Sequence, residues 1–210
     1  MELYNLSIKD YNEILSSKSS MPGGGSAASV VASLGVSLAL MVCNLTIGKE
    51  KYKDSEELVN ESIKKLESLK NDFINMIEED KVLYGNIESV WSLPKNTDEE
   101  KKIREGKMEE ACKTCNIIPE KIMVKSLEAL KIIEPLLFKT NMTCISDLGD
   151  ASCNLKAATD GAYLNIVINK KFIKDNKYNN EILNKANSIL EEVDKLNKII
   201  YGKVLDYLKS

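Results

Sequence analysis

The uncharged segment from Ser26 to Ile47 constrains the fold more than any other part of the chain. It consists mostly of Ala, Ser, Val, Leu and Gly, so a helix built from it would be apolar or small on every side. Such a helix needs cover from other helices around its whole circumference. We therefore predict that this segment is the buried central helix of a bundle.

A membrane span is the alternative interpretation of this segment, because about 20 apolar residues can cross a bilayer. Serine, asparagine and threonine side chains interrupt the segment, however, and no second span follows it. A charged helical stretch precedes it, which is unlike the start of a signal peptide. We therefore predict a soluble, cytoplasmic protein that does not associate with membranes.

Helical spacing of apolar residues covers most of the remaining sequence. Ser7 is a candidate N-cap for a first helix, and Asp54 with Glu57 and Thr97 with Glu100 are candidate capping boxes for two later ones. The helices predicted after the uncharged segment cover 54–91, 97–115, 119–138, 141–169 and 180–208.

Strand signals are scarce in this sequence. The β-branched residues at 163–168 are typical of a short strand, but no partner run accompanies them. We therefore predict an all-α fold: one domain, residues 1–210, in which long antiparallel helices form a bundle that is completed by dimerisation.

The sequence contains no histidine, which removes the commonest general base and a frequent metal ligand. Any acid-base chemistry at neutral pH must then depend on carboxylates, lysine, tyrosine or cysteine with shifted pKa values. The net charge of -3 provides no basic field, which argues against a nucleic-acid partner.

The five cysteines are odd in number, which fits free thiols in a reducing cytoplasm. Cys112 and Cys115 form a C-x-x-C pair, but no second pair supplies the four ligands of a zinc site. We therefore predict no metal site.

Three consecutive glycines, Gly23 to Gly25, lie between Pro22 and Ser26 and lead into the uncharged segment. Glycines let a ligand approach the backbone closely, and the N-terminus of the following helix offers free N–H groups and a partial positive charge. This arrangement favours an anionic group. The alternative is a flexible connection between two helices, because the composition is also typical of linkers.

Asp80 lies on the apolar stripe of its predicted helix, between Ile77 and Tyr84. A carboxylate in this position is either paired, or has its pKa raised by desolvation towards the range that is useful for proton transfer. A structural carboxylate that is satisfied by its neighbours is the alternative.

Polar and small residues follow one face of the helix predicted over 141–169. They are Asp147, Asn154, Ala158, Gly161, Asn165 and Asn169. The small central residues leave room for a ligand, so this face predicts a polar pocket. The alternative is that Asp147 caps the helix and the asparagines bond across the bundle. Asn44 and Lys49 are further candidates, although cations are favoured at a helix C-terminus in any case.

Several segments together resemble the cyclodeaminase/cyclohydrolase family of folate enzymes, and the resemblance covers nearly the whole chain. The segments are Met21-Pro-Gly-Gly-Gly-Ser-Ala-Ala28, Asn44-Leu-Thr-Ile-Gly-Lys49 with Tyr52, Asp80 with Tyr84, Leu93-Pro94-Lys95, Pro119, Ser146-Asp147, and Gly161-Ala-Tyr-Leu-Asn165 with Asn169. The family includes the cyclodeaminase half of formiminotransferase-cyclodeaminase and stand-alone bacterial methenyltetrahydrofolate cyclohydrolases.

The resemblance implies an all-α dimer that acts on a folate without a permanently bound cofactor. A chain of this length is expected to lack a formiminotransferase portion, which favours hydration of 5,10-methenyltetrahydrofolate to 10-formyltetrahydrofolate. Cyclodeamination of 5-formiminotetrahydrofolate, which releases ammonia, is the alternative within the family. A non-catalytic helical scaffold is the alternative from another class, but it does not explain a glycine loop beside a buried carboxylate.

Either reaction needs a proton-transfer group, and we expect this to be Asp80, with Asp147 as the second choice. The residues that the resemblance implies in substrate binding are Gly23, Gly24, Gly25, Ser26, Asn44, Lys49, Tyr84, Asn165 and Asn169. The asparagines would hydrogen-bond the pterin or the tetrahedral intermediate. The glycine loop or the lysine would hold the glutamate carboxylates.

Overall fold

The computed structural model describes residues 2–210, and none of these residues lies in a β-strand. The α-helices of this part of the chain are α1 (Ile8–Leu15), α2 (Gly24–Asn44), α3 (Glu56–Trp91), α4 (Asp98–Cys115), α5 (Ile117–Ile133), α6 (Ile145–Lys170) and α7 (Asn176–Lys209). Short 3₁₀ turns precede α1, α3 and α6 and follow α5. The prediction of an all-α helical bundle is confirmed.

Helix α2 lies at the centre of the bundle and packs mainly against α3 and α6. α2 and α6 are antiparallel, because Gly24 lies beside Asn165 while Gly35, further along α2, lies beside Ala151. A Cβ atom on Gly35 would come within 3.0 Å of the Ala151 carbonyl oxygen, so the helices could not approach this closely with a larger residue there. The small residues of α2 thus serve backbone-to-backbone packing.

One face of α2 is not covered by the other helices of the chain. Ala32 and Val36 are fully buried, whereas Leu34 is 54% exposed and Met41 is 38% exposed. Among the described residues, α2 is the one helix long and apolar enough to cross a membrane. The apolar side chains of α2 are used mainly in its packing against α3 and α6. The predicted burial is therefore correct for the faces towards these two helices and incomplete for the third face.

The long helix α3 connects two apolar cores. Its first half carries Leu66 and Phe73 into the main core, which also contains residues of α2, α5, α6 and α7. Its second half contributes Ile87 and Val90 to a smaller core with the end of α4. Asp80 lies between these two halves, at the junction of the cores.

Two of the predicted helix starts are confirmed at the level of their capping bonds. Ser7 accepts a hydrogen bond from the Asp10 N–H and begins α1. Thr97 and Glu100 form both bonds of the capping box that begins α4. These bonds join residues three positions apart, so the local sequence is sufficient to specify them.

Two other predicted boundaries are wrong. The capping box at Asp54 and Glu57 does not form, because a 3₁₀ turn over Glu50–Ser55 runs directly into α3 and supplies its first backbone bonds. The helix predicted to continue to Phe138 ends at Ile133, shortly before a proline that lacks the N–H needed to continue it.

Candidate active site

A cavity of about 320 Å³ lies where the N-terminus of α2 meets α3, α4 and the last turns of α6. The predicted site residues that line it are Gly23, Gly24, Gly25, Asp80, Tyr84, Asn165 and Asn169. Its apolar wall is formed by Ile87, Trp91, Met108, Cys112, Cys115, Pro119, Ile168 and Phe172. The fold therefore brings residues from distant parts of the sequence to one cavity.

The Asp80 carboxylate faces the first turn of α2. Its Oδ2 atom accepts a hydrogen bond of 2.9 Å from the Ser26 N–H, one of the helix-start donors that have no intrahelical acceptor. Burial raises the pKa of Asp80 to about 6; the Ser26 bond opposes this rise, and no cation of the described residues adds to that opposition. The group is thus mostly ionised at neutral pH yet readily protonated, which suits proton transfer.

The glycine at position 25 is required by its distance from Asp80. A Cβ atom there would lie 2.3 Å from Oδ1 of Asp80 and 2.7 Å from its Cγ, well inside van der Waals contact. At Gly24, a Cβ atom would lie 3.2 Å from Nδ2 of Asn165. Both glycines belong to the first turn of α2, so they form an ordered part of the cavity wall rather than a flexible connection.

Two amide side chains on α6 border the cavity. Asn165 donates from Nδ2 to the Gly161 carbonyl at 2.8 Å, and Asn169 donates to Oδ1 of Asn116 at 2.9 Å. Asn116 is 1% exposed and lies between α4 and α5. Asn116 could not be predicted as a site residue from the sequence, because an isolated asparagine near a helix end has no local feature that distinguishes it.

The rest of the polar stripe on α6 does not line a pocket. Ala158 is buried, and Asn154 lies beside Gly35 of α2. The prediction of a polar pocket along this face therefore holds only for the last turns of the helix, where Asn165 and Asn169 lie. The central part of the stripe serves helix packing.

Exposed aromatic residues border the cavity as well. Trp91 is 51% exposed and Phe172 is 50% exposed. The ring of Tyr84 meets Trp91 edge to face, with 6.0 Å between the ring centroids. Neither Trp91 nor Phe172 is among the site residues predicted from the sequence, although both line the cavity. Partly exposed aromatic faces beside a cavity can pack against a planar ring of a ligand.

Cys112 and Cys115 form part of the cavity wall as protonated thiols. Burial raises the pKa of Cys112 to about 11 and that of Cys115 to about 12. The Cys115 thiol donates to the Leu83 carbonyl at 3.3 Å. Because the thiolate is the reactive form of cysteine, neither residue is suited to act as a nucleophile here.

Three predicted site residues lie away from the cavity. Asn44 ends α2, about 30 Å from Gly24 at the usual rise per residue of a helix. Lys49 follows Asn44, and Asp147 lies in the first turn of α6, at the same end of the bundle. Within one chain these residues cannot contact the ligand atoms that Asp80 contacts, and their roles stay predictions.

The segment after α2 has a visible structural task at this end of the bundle. The Thr46 hydroxyl oxygen accepts the Asn141 N–H at 2.9 Å, and the Tyr52 hydroxyl oxygen accepts the Met142 N–H at 3.1 Å. Gly48 has a φ of 73°, in the left-handed region that favours glycine. These residues attach the end of α2 to the start of α6.

Comparison with known proteins agrees with this architecture. The sequence pattern of the formiminotransferase-cyclodeaminase family matches residues 7–188. The chain belongs to this family. The methenyltetrahydrofolate cyclohydrolase of Methylorubrum extorquens is 36% identical over 200 residues, which cover 95% of this chain and 96% of that protein. The resemblance stated from the sequence is thus confirmed.

Other members of the family match over smaller shares or at lower identity. The formimidoyltransferase-cyclodeaminase of Gallus gallus is 32% identical over 83% of this chain, but over only 32% of its own length. The crystal structure of formiminotetrahydrofolate cyclodeaminase from Thermotoga maritima has a TM-score of 0.88 at 20% identity, with 99% of this chain and 100% of that chain covered. This structure has the same fold.

Proposed function

We propose that the protein is a methenyltetrahydrofolate cyclohydrolase, which adds water to 5,10-methenyltetrahydrofolate and produces 10-formyltetrahydrofolate. The observation that carries the proposal is the half-buried Asp80 carboxylate, with its pKa of about 6, at a cavity lined by amides and aromatic rings. The Methylorubrum extorquens relative that bears this name matches over nearly the whole of both chains. The relatives named cyclodeaminases are 32% identical or less.

In the proposed reaction Asp80 acts on the water and then on N5 of the folate. Asp80 accepts a proton from water as the oxygen bonds to the electrophilic methenyl carbon. It then returns this proton to N5 as the bond between that carbon and N5 breaks. The second proton of the water leaves to solvent as the formyl carbonyl forms, so the step needs no cofactor and no histidine.

The remaining cavity residues would position the substrate. Tyr84, Trp91 and Phe172 offer aromatic faces for the pterin, and Asn165 and Asn169 offer hydrogen-bonding groups. The Ser26 N–H in the first turn of α2 is already used by Asp80, so the glutamate portion, at the far end of the folate from the methenyl carbon, would lie outside this turn. Such positioning holds the water near the methenyl carbon. The activation barrier is lower because the entropy cost of bringing the two together is met on binding.

Purified protein offered each folate separately tests the proposal. Loss of the methenyl absorbance with 5,10-methenyltetrahydrofolate is expected, whereas appearance of that absorbance and of ammonia from 5-formiminotetrahydrofolate alone would identify the cyclodeaminase instead. Binding has an independent readout, because Trp91 is the only tryptophan of the chain and borders the cavity. Unchanged Trp91 fluorescence with every folate would favour the non-catalytic scaffold.

The activity should depend on pH through Asp80. Because the base must be ionised, kcat/KM should rise with pH and reach a plateau above the pKa of about 6. A profile of initial rates checks this, measured in buffers of constant ionic strength and corrected for uncatalysed hydrolysis. A rate that stays constant down to about pH 4.5, below the pKa of a base of this kind, would contradict the role of Asp80 as the base.

We also propose that the protein is a cytoplasmic homodimer in which a second copy covers the exposed face of α2. Leu34, Met41 and Leu45 of this face are 54%, 38% and 42% exposed. The face continues into a mostly apolar groove beside α1. The same surface of two copies can pack together about a two-fold axis and form a closed dimer. The five free cysteines fit a reducing compartment.

Light scattering at micromolar concentration should therefore give the mass of a dimer. Leu34→Glu should convert it to a monomer, because a charge would be buried at the contact. The matched control is Leu164→Glu, at a leucine of α6 that is 66% exposed, which should leave the mass unchanged. A monomeric mass for the unaltered protein would overturn the proposed dimer.

A further inference from the structure

A chain of hydrogen bonds connects the cavity to the protein interior. Asn169 donates from Nδ2 to Oδ1 of Asn116 at 2.9 Å, and Asn116 donates from Nδ2 to the Tyr178 hydroxyl at 3.3 Å. The Tyr178 hydroxyl in turn donates to the Lys113 carbonyl at 3.2 Å. Asn116 is 1% exposed, so water does not compete for its bonds. The chain ends at a backbone group of α4.

The direction of every bond in this chain follows from its last member. The Lys113 carbonyl can only accept, so the single hydroxyl proton of Tyr178 points towards it. The Tyr178 oxygen is then the acceptor for Asn116, which turns the Asn116 amide so that its Oδ1 faces Asn169. Asn169 must present its NH₂ group to that oxygen. Its own Oδ1 is left over, and none of the described residues donates to it.

The neighbouring amide on α6 is oriented in the same sense. Asn165 uses Nδ2 on the Gly161 carbonyl at 2.8 Å, and none of the described residues donates to its Oδ1. Asn165 and Asn169 lie four positions apart on the helix, so they share a face. Together with the Asp80 carboxylate, this side of the cavity offers hydrogen-bond acceptors. A ligand edge that binds here must therefore carry N–H donors.

We infer that Asn116 and Tyr178 are positioning residues that make the cavity selective for the donor edge of a pterin. The 2-amino group and N3–H of a reduced pterin form such an edge, and the carbonyl oxygens of Asn165 and Asn169 accept from it. This inference rests on the proposed function, because it takes a tetrahydrofolate as the ligand. Beyond the proposed function, two residues outside the cavity, Asn116 and Tyr178, would determine the orientation of the Asn169 amide.

Tyr178→Phe tests the inference, with Tyr163→Phe as its matched control. Tyr163 also bonds an asparagine, because its hydroxyl donates to Oδ1 of Asn187 at 2.9 Å. This bond is exposed, and neither residue lines the cavity. The dissociation constants of tetrahydrofolate and of its 2-desamino-2-methyl analogue are measured by Trp91 fluorescence. The analogue lacks the 2-amino donors but keeps N3–H, so the difference between the two dissociation constants measures the bonds that the 2-amino group makes to the acceptor edge.

Tyr178→Phe should weaken tetrahydrofolate binding about five- to tenfold, the usual effect of one hydrogen bond, and should change analogue binding by less than about twofold. Tyr163→Phe should leave both constants unchanged. Asn169→Leu, which tests the inference even if Tyr178→Phe does not fold, should reduce the preference for tetrahydrofolate over the analogue in the same way.

Three results would overturn the inference. In the first, Tyr178→Phe weakens the binding of both ligands equally, which would indicate a merely structural role. In the second, Tyr178→Phe weakens the binding of neither ligand. In the third, the unaltered protein binds both ligands with equal affinity. The last result would leave the proposed function intact, since folate would still bind. If the unaltered protein binds neither ligand, the proposed function fails first, and the inference fails with it.

Discussion

Asp80→Asn should lower the turnover of 5,10-methenyltetrahydrofolate about 10²- to 10⁴-fold, the usual contribution of a general acid-base group. The change keeps the size of the side chain, and the amide oxygen can still accept the Ser26 N–H bond. Folate binding should therefore persist, so the loss should appear in kcat. Single-turnover rates at saturating substrate, with binding followed by Trp91 fluorescence, separate the two quantities.

The same variant should be as stable as the unaltered protein or more stable. Burial raises the pKa of Asp80 from 3.8 to about 6, so the folded state disfavours the ionised form. The resulting loss of stability develops as the pH rises from about 4 to about 6, and amounts to at most about 3 kcal/mol. The asparagine removes this loss. The gain in Tm should therefore be larger at about pH 7.5 than at about pH 4.

Asp72→Asn is the matched control, because Asp72 lies on the same helix but pairs with Lys125 at 2.7 Å. Removing this partly exposed ion pair should lower stability by at most about 1 kcal/mol and leave turnover unchanged. If Asp80→Asn instead loses stability while each folded molecule keeps its full turnover, Asp80 is a structural carboxylate and the proposed mechanism is wrong.

Gly25→Ala should reduce turnover about 10²-fold by displacing Asp80. The added Cβ would lie 2.3 Å from the Asp80 Oδ1 atom, so the carboxylate must rotate away from the Ser26 N–H. A displacement of about 1 Å at a catalytic group is enough for a loss of this size. In the Asp80→Asn background the same change should have much less effect, because the two substitutions disable one group.

Gly85→Ala is the control for the helical glycine, since a Cβ at Gly85 meets nothing within 4 Å. That variant should keep its turnover and gain up to about 1 kcal/mol from the better helix propensity of alanine. Unchanged kcat and an unchanged pH profile in Gly25→Ala would show that the close approach of Gly25 to Asp80 has no part in catalysis.

Much of the fold was accessible from the sequence because its signals are local. The spacing of apolar residues predicts each long helix, and the capping bonds of Ser7 and of Thr97 with Glu100 join residues three positions apart. The failure at Asp54 has the opposite cause. A 3₁₀ turn before α3 replaces the capping box there, and nothing in the local residues distinguishes these two ways of starting a helix.

The candidate site was predictable where one residue's environment follows from its own helix. Asp80 stands on an apolar stripe, and the glycines precede an uncharged helix, so both were visible as candidates. Asn116 and Phe172 were not. Asn116 stands out only through its bond to Asn169, which is 53 positions away in sequence. Phe172 stands out only because it faces a cavity that residues of α2, α3, α4 and α5 complete.

The sequence by itself determined that the chain is helical, which helices are long, and that α2 must be covered by its neighbours. These properties follow from periodicity, composition and bonds between near neighbours. Only the tertiary structure decided which candidates meet. Because α2 and α6 run antiparallel, Gly24 lies beside Asn165, while Asn44 and Asp147 both lie towards the opposite end of the same pair of helices. The residue pattern along one helix determines which side chains share a face of that helix. The packing of two helices determines which of those side chains meet residues from distant parts of the sequence.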